Sequence, residues 1–166
     1  DGQGHLQVKF GNSAIALIKL IAGTPPDWLK LVPTQEPELV ASVMAAQLDV
    51  AVRRVQNIAK EGSDIVRIVF SDSTATVSAH GDGQHAEGKV KVLIGKGTTG
   101  RVGLNAKYLL NYLKGKEGFV TMTITQEGSP VAFKHQQHPS VLIMPMKVAW
   151  EEEKPTEEAV AEAAKQ

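Results

Sequence analysis

Apolar and polar residues alternate with period two along most of this chain, and turn residues divide that alternation into short strands. His5–Phe10 and Ala14–Ile21 predict a hairpin that turns at Gly11-Asn12-Ser13. Gly23-Thr24-Pro25-Pro26-Asp27 then breaks the sheet, because neither proline can donate to a ladder. Trp28–Val32 is a short apolar piece closed by Pro33, and Thr34–Pro37 reads as a linker.

A new unit opens at Glu38. Leu39–Met44 predicts a strand, and the spacing then changes to that of a helix from about Ala45 to Lys60. Leu48, Ala51, Val52, Val55, Ile58 and Ala59 share one face of it, with Asp49, Arg53, Arg54, Asn57 and Lys60 on the other. Gly62 ends the helix. Ile65–Phe70 and Thr74–His80 form the next hairpin, followed by a polar loop Gly81–Glu87 and a strand Lys89–Ile94. The pattern then recurs: a strand Arg101–Leu104, Asn105 as an N-cap, and a helix Ala106–Lys114. Strands at Gly118–Thr125, Pro130–Lys134 and Ser140–Val148 complete it. The expected fold class is therefore α+β, a strand–helix–three-strand unit used twice, with both helices on one face of an antiparallel sheet.

Composition changes this picture little. Hydrophobic residues make up 42% of the 166 residues and charged residues 22%, as in ordinary globular proteins. No apolar run approaches the roughly 18 residues of a membrane helix. The absence of cysteine excludes disulfides and thiolate metal sites, and fits a reducing compartment. Charge is more informative. The overall balance is zero, but residues 151–166 hold six Glu against Lys154 and Lys165, which leaves residues 1–150 at +4. Residues 149–166 therefore read as an acidic, flexible tail.

Candidate chemistry is sparse. Gly95-Lys96-Gly97-Thr98-Thr99-Gly100 has the letters of a dinucleotide fingerprint, but Arg101-Val102-Gly103-Leu104 separates it from the next helix. A glycine-rich loop between strands is the better reading. His5, His80, His85, His135 and His138 lie near strand ends and loops, and only His135-x-x-His138 is a close pair, so no metal site is expected. No nucleophile elbow, paired-carboxylate motif or activated cysteine appears, and no cofactor or catalytic residue is assigned. Arg53, Arg54 and Lys60 on the first helix, with Lys107, Lys114 and Lys116 on or after the second, make a cationic face. It is either simply solvated or made for sequence-independent phosphate contact.

Four stretches carry a resemblance. Thr24–Pro33 (TPPDWLKLVP), Arg54–Gly62 (RVQNIAKEG), Leu104–Leu110 (LNAKYLL) and Val141–Lys147 (VLIMPMK) resemble, in order and spacing, segments of the bacterial DNA polymerase III beta subunit, the sliding clamp. The similarity runs from about Gly4 to Val148. Trp28 and Leu29 stand where that family usually has a tyrosine and a basic residue.

The resemblance implies a DNA-clamp fold in which residues 1–33 close the middle domain and form the inter-domain junction. Residues 34–148 would be the C-terminal domain. It implies a fragment or truncated form of a longer chain, two copies of which form a homodimeric ring around duplex DNA, in the cytoplasm at the nucleoid. The chain would be non-catalytic and would confer processivity. It would dock the catalytic polymerase, the clamp loader and repair polymerases through a peptide cleft. The positions carried over to that cleft are Pro26, Lys30, Leu31, Asn105, Tyr108, Ser129, Leu142, Ile143, Met144, Pro145 and Met146. The cationic helix residues become the expected DNA face. The alternative is a clamp-like protein-interaction module that does not encircle DNA.

Overall fold

The computed structural model describes residues 4–21, 23–24, 27–136 and 140–150. Pro26, His138 and residues 151–166 lie outside the described residues. The chain divides into two units, residues 1–31 and 32–166.

The first unit is an antiparallel hairpin, β1 (His5–Phe10) and β2 (Ala14–Lys19), with Phe10 opposite Ala14 and His5 opposite Lys19. Gly11 takes a positive φ of 57° in its turn. A single 3-10 turn follows at Trp28–Leu31, where the Lys30 ammonium lies 3.3 Å from Asp27. Leu6, Phe10, Ile15, Leu17, Ile18, Trp28 and Leu29 are all exposed. A two-stranded hairpin with so much uncovered apolar surface is marginal by itself.

The second unit contains the core. β3 (Leu39–Met44) leads into α1 (Ala45–Glu61), then β4 (Ile65–Ser71), β5 (Thr74–Gly81) and β6 (Gln84–Lys96). β7 (Thr99–Asn105), α2 (Ala106–Leu113), β8 (Phe119–Ile124), β9 (Val131–His135) and β10 (Val141–Ile143) repeat that order. The strands form one eight-stranded sheet, β10-β9-β8-β3-β6-β5-β4-β7, in which every pairing is antiparallel. Both helices pack on it: α1 against β3, β4, β5, β6 and α2, and α2 also against β7. Leu48, Val52, Val55 and Ala59 of α1 are buried there with Val66, Ile68, Phe70, Leu104, Leu109, Met122 and Phe133.

The doubling reaches individual hydrogen bonds. The first N–H of α1, on Ala45, donates to the Gly118 carbonyl just before β8, at 2.8 Å. The first N–H of α2, on Ala106, donates to the Asp64 carbonyl just before β4, also at 2.8 Å. Gly118 and Asp64 both have positive φ, 76° and 58°. Each half thus caps the other's helix with the carbonyl that starts its own hairpin.

Two predicted elements differ. The loop expected at Gly81–Glu87 is instead the start of a thirteen-residue β6, because Asp82 and Gly83 (φ 40° and 77°) make a two-residue hairpin turn. The last strand, expected to reach Val148, stops at Ile143. Pro145 has no N–H to continue a ladder. The glycine-rich segment also finds its role: Gly97 (φ 73°) turns β6 into β7, and a Cβ there would lie 2.2 Å from the Glu38 carbonyl oxygen. No helix begins there.

Candidate functional site

The two halves pair alike with one exception. β4–β5 matches β8–β9, β5–β6 matches β9–β10, and β3–β8 matches β4–β7. Among the described residues the counterpart of β3–β6, a β7–β10 pair, does not form. After β10 the chain runs on irregularly through Met144–Val148 and makes one ladder-like bond, from Met146 N–H to the Gly103 carbonyl at 2.8 Å. Gly103 permits this approach. A Cβ there would sit 2.2 Å from Val148 Cγ2 and 3.0 Å from the Met146 carbonyl oxygen.

A groove of about 620 Å³ occupies this unzipped seam. One wall is Arg101-Val102-Gly103 of β7, and another is the β8–β9 region from Ile124 through Ser129 to Val131. The rest is Met144–Val148 together with Trp150. Met144 is 54% exposed and Met146 41%, so both residues are open to solvent. The Arg101 guanidinium stands 5.1 Å from the centre of the Trp150 ring, closing one side with a cation–π contact. Flexible Met side chains, a Pro and a few polar groups suit an adaptable apolar ligand.

Of the positions expected at a peptide cleft, Ser129, Met144, Pro145 and Met146 line this groove. Leu142 is half-buried and Ile143 buried, both within β10, and neither lines it. Asn105 caps α2, its side-chain oxygen accepting from Lys107 N–H at 3.0 Å and Tyr108 N–H at 3.2 Å. That cap aims the next turn and leaves Tyr108 exposed on the surface. Lys30 and Leu31 belong to the first unit, and Pro26 is not among the described residues. Arg101 and Trp150 carry no signal in the sequence. They are 49 positions apart, and the fold gathers their segments where Met146 bonds to Gly103.

The cationic residues fall into two groups. Arg53, Lys114 and Lys116 line one depression with Asp49, where α1 begins and α2 ends. The Arg53 guanidinium is already engaged: it donates to both Asp49 carboxylate oxygens, at 2.7 and 3.1 Å. That hydrogen bonding, and then the Asp49 charge, raises its pKa. The Lys116 ammonium lies 4.4 Å from the centre of the Tyr112 ring. Arg54 instead joins Lys89 and Lys91 of β6 around a second depression. The signal for those two lysines is their alternation with the buried Val90 and Val92. Lys60 and Lys107 are exposed and line neither depression. Among the described residues no group of three or more His, Asp or Glu is placed to hold a metal ion. No helix there is long and apolar enough to cross a membrane.

Solved structures that share this fold include sliding clamps. The DNA polymerase sliding clamp of Pseudomonas aeruginosa, solved with ligand, superposes with a TM-score of 0.76 at 24% identity over 89% of this chain and 40% of that one. The DNA polymerase III beta subunit of Thermotoga maritima gives 0.74 at 20% identity, over 90% of this chain and 41% of that one. A P. aeruginosa clamp bound to griselimycin gives 0.70 at 23% identity, covering 80% and 36%. The chain thus spans about two fifths of the length of the clamps it matches. No curated protein matches. The family model described as DNA polymerase III beta subunit, C-terminal domain, matches residues 30–147, most of the chain. The chain therefore belongs to the family of C-terminal domains of the DNA polymerase III beta subunit, whose members are non-catalytic sliding clamp domains.

Proposed function

We propose that residues 34–148 work as the C-terminal domain of a replicative sliding clamp and hold partner proteins by a short, largely apolar peptide seated in the β7–β10 groove. The observation that carries this reading is the groove itself. In a domain whose halves otherwise pair alike, one seam stays unzipped, and Ser129, Met144, Pro145 and Met146 line it. The catalytic polymerase, the clamp loader and repair polymerases are the partners in this reading. Residues 1–33 are the closing hairpin and junction of the preceding domain, in which the family resemblance assigns Pro26, Lys30 and Leu31 to peptide binding. The neighbouring domain covers the hairpin's apolar faces, and residues 149–166 are the acidic tail.

In the assembled homodimeric ring the two helices face duplex DNA. A diffuse positive field from Arg54, Lys60, Lys107, Lys114 and Lys116 suits this role, since tight phosphate contacts would hinder sliding. The setting is the cytoplasm, at the nucleoid. Calorimetric titration with an apolar clamp-binding pentapeptide tests the docking claim. The expected dissociation constant is about 1 mM for this chain, because it spans only about two fifths of the clamps it matches. Met146→Ala weakens it several-fold. Equal affinity in wild type and Met146→Ala contradicts the reading.

A further inference from the structure

The family match ends at residue 147, yet the chain runs on along the same seam through Val148, Ala149 and Trp150. Met146, Val148 and Trp150 all line the groove, at the every-other-residue spacing of an extended segment. Among the described residues, the backbone bond that joins this segment to β7 runs from Met146 N–H to the Gly103 carbonyl. Continued antiparallel from that bond, the register sets Val148 across from Arg101 and Trp150 across from Thr99. Each side chain leans to its diagonal neighbour instead, as long and aromatic side chains on paired strands can. Val148 Cγ2 sits where a Gly103 side chain would begin, and the Arg101 guanidinium lies 5.1 Å from the centre of the Trp150 ring. Trp150 is half-buried there, whereas Trp28 is 63% exposed.

The wall that carries Met144 and Met146 is thus tied to β7 by one backbone bond, with a side-chain clamp four residues beyond it. A segment with so few ties frays readily unless its far end is held. Tryptophan is the best aromatic partner for a cation, and a guanidinium sheds its water more easily than an ammonium does. We infer that Trp150, clamped on Arg101, is a positioning residue for the peptide groove: it keeps the Met144–Val148 wall docked on β7 before a partner arrives. A wall already in place spares the ligand the cost of ordering it. The inference rests on the peptide-docking reading above, and it puts a determinant of affinity outside the stretch that the family match covers.

The test reads the wall first without a ligand and then with one, in the full chain. Amide hydrogen exchange at Met146 reports how often its bond to Gly103 opens. Trp150→Leu keeps an apolar side chain without the ring, and Arg101→Met keeps length without the charge. Each is expected to speed Met146 exchange about three- to ten-fold. Trp150→Phe and Arg101→Lys retain a ring and a cation, and are expected to stay within about two-fold of wild type. Titration with the apolar clamp-binding pentapeptide is then expected to show about two- to three-fold weaker binding to Trp150→Leu and Arg101→Met. That loss is smaller than the change in exchange, because apparent affinity scales with the fraction of time the wall is in place. Unchanged Met146 exchange in Trp150→Leu overturns the inference. So does tighter peptide binding, which would make Trp150 an obstruction. Replacing Glu151, Glu152 and Glu153 together by Gln is expected to leave Met146 exchange unaltered; if it speeds exchange as much as Trp150→Leu does, the tail's charges are the anchor and the inference is wrong. If the peptide binds wild type and Trp150→Leu equally, the positioning role is wrong and the docking reading stands. If the peptide binds no variant and not the wild type, the docking reading falls and takes this inference with it.

Discussion

At the scale of single residues, Tyr112 shows how a core position in this domain carries a cost. Its ring packs on Phe133, centroids 5.0 Å apart, and lies beneath the Lys116 ammonium. Its hydroxyl is buried and has no hydrogen-bond partner among the described residues. Removing that oxygen keeps both ring contacts, so Tyr112→Phe is expected to be neutral or to stabilise the domain by up to about 1 kcal/mol in denaturant unfolding. Burial also raises the phenol's pKa above its ordinary 10.0. The unfolded chain then ionises first, so the wild type loses stability as pH rises past 10 towards the folded value. Tyr112→Phe removes that part of the alkaline loss. Equal alkaline slopes in the two proteins count against the account. Nothing in the sequence singles out Tyr112: its position on the buried side of α2 is legible, but its unmet hydroxyl depends on neighbours from β9.

At the scale of elements, the seam between β7 and β10 depends on Gly103. Gly103→Ala sets a methyl against Val148 Cγ2 and the Met146 carbonyl, so the segment after β10 must lift away. A cost of about 1–3 kcal/mol is expected, concentrated in that segment. Limited proteolysis is expected to cleave near Met146–Trp150 sooner than in wild type, with the remaining sheet intact. Unchanged cleavage and unchanged peptide binding contradict this assignment. Elements with clean periodicity are legible in the sequence. β3 has its predicted bounds and α1 buries its predicted face, because Leu48, Ala51, Val52, Val55 and Ala59 repeat at helical spacing. The start of β6 is obscured because Gln84, His85 and Glu87 are polar, although Asp82-Gly83 is itself a hairpin-turn signal. Apolar residues on both sides of Pro145 disguise the end of β10, where the missing N–H outweighs the alternation. The doubled order of strands and helix is legible; the β7–β10 pair missing among the described residues is not, since it depends on how two segments far apart in the chain meet.

At the scale of the whole molecule, the body of the chain carries +4 against an acidic tail, and its cations are spread over α1, α2 and β6. Weak, salt-sensitive contact with duplex DNA is the expected behaviour. Lowering of its log–log salt slope by about one per removed cation is predicted for Arg54→Gln and Lys60→Gln. Arg53→Gln is predicted to matter less, because Asp49 already occupies that guanidinium. DNA retention that ignores all three substitutions would contradict the assignment of this face. The groove is legible at this scale only in part: Met144-Pro145-Met146 stands out by resemblance, whereas Arg101 and Trp150 reach it only through the fold. The chain's four methionines allow the most direct test of that groove. Met144 and Met146 are exposed in it, and Met122 is buried in the core as an internal control. With methyl-labelled methionine and an apolar clamp-binding peptide, the account predicts saturable shifts at Met144 and Met146 and none at Met122. Shifts absent from Met144 and Met146 at millimolar peptide, or no larger there than at Met122, would contradict it.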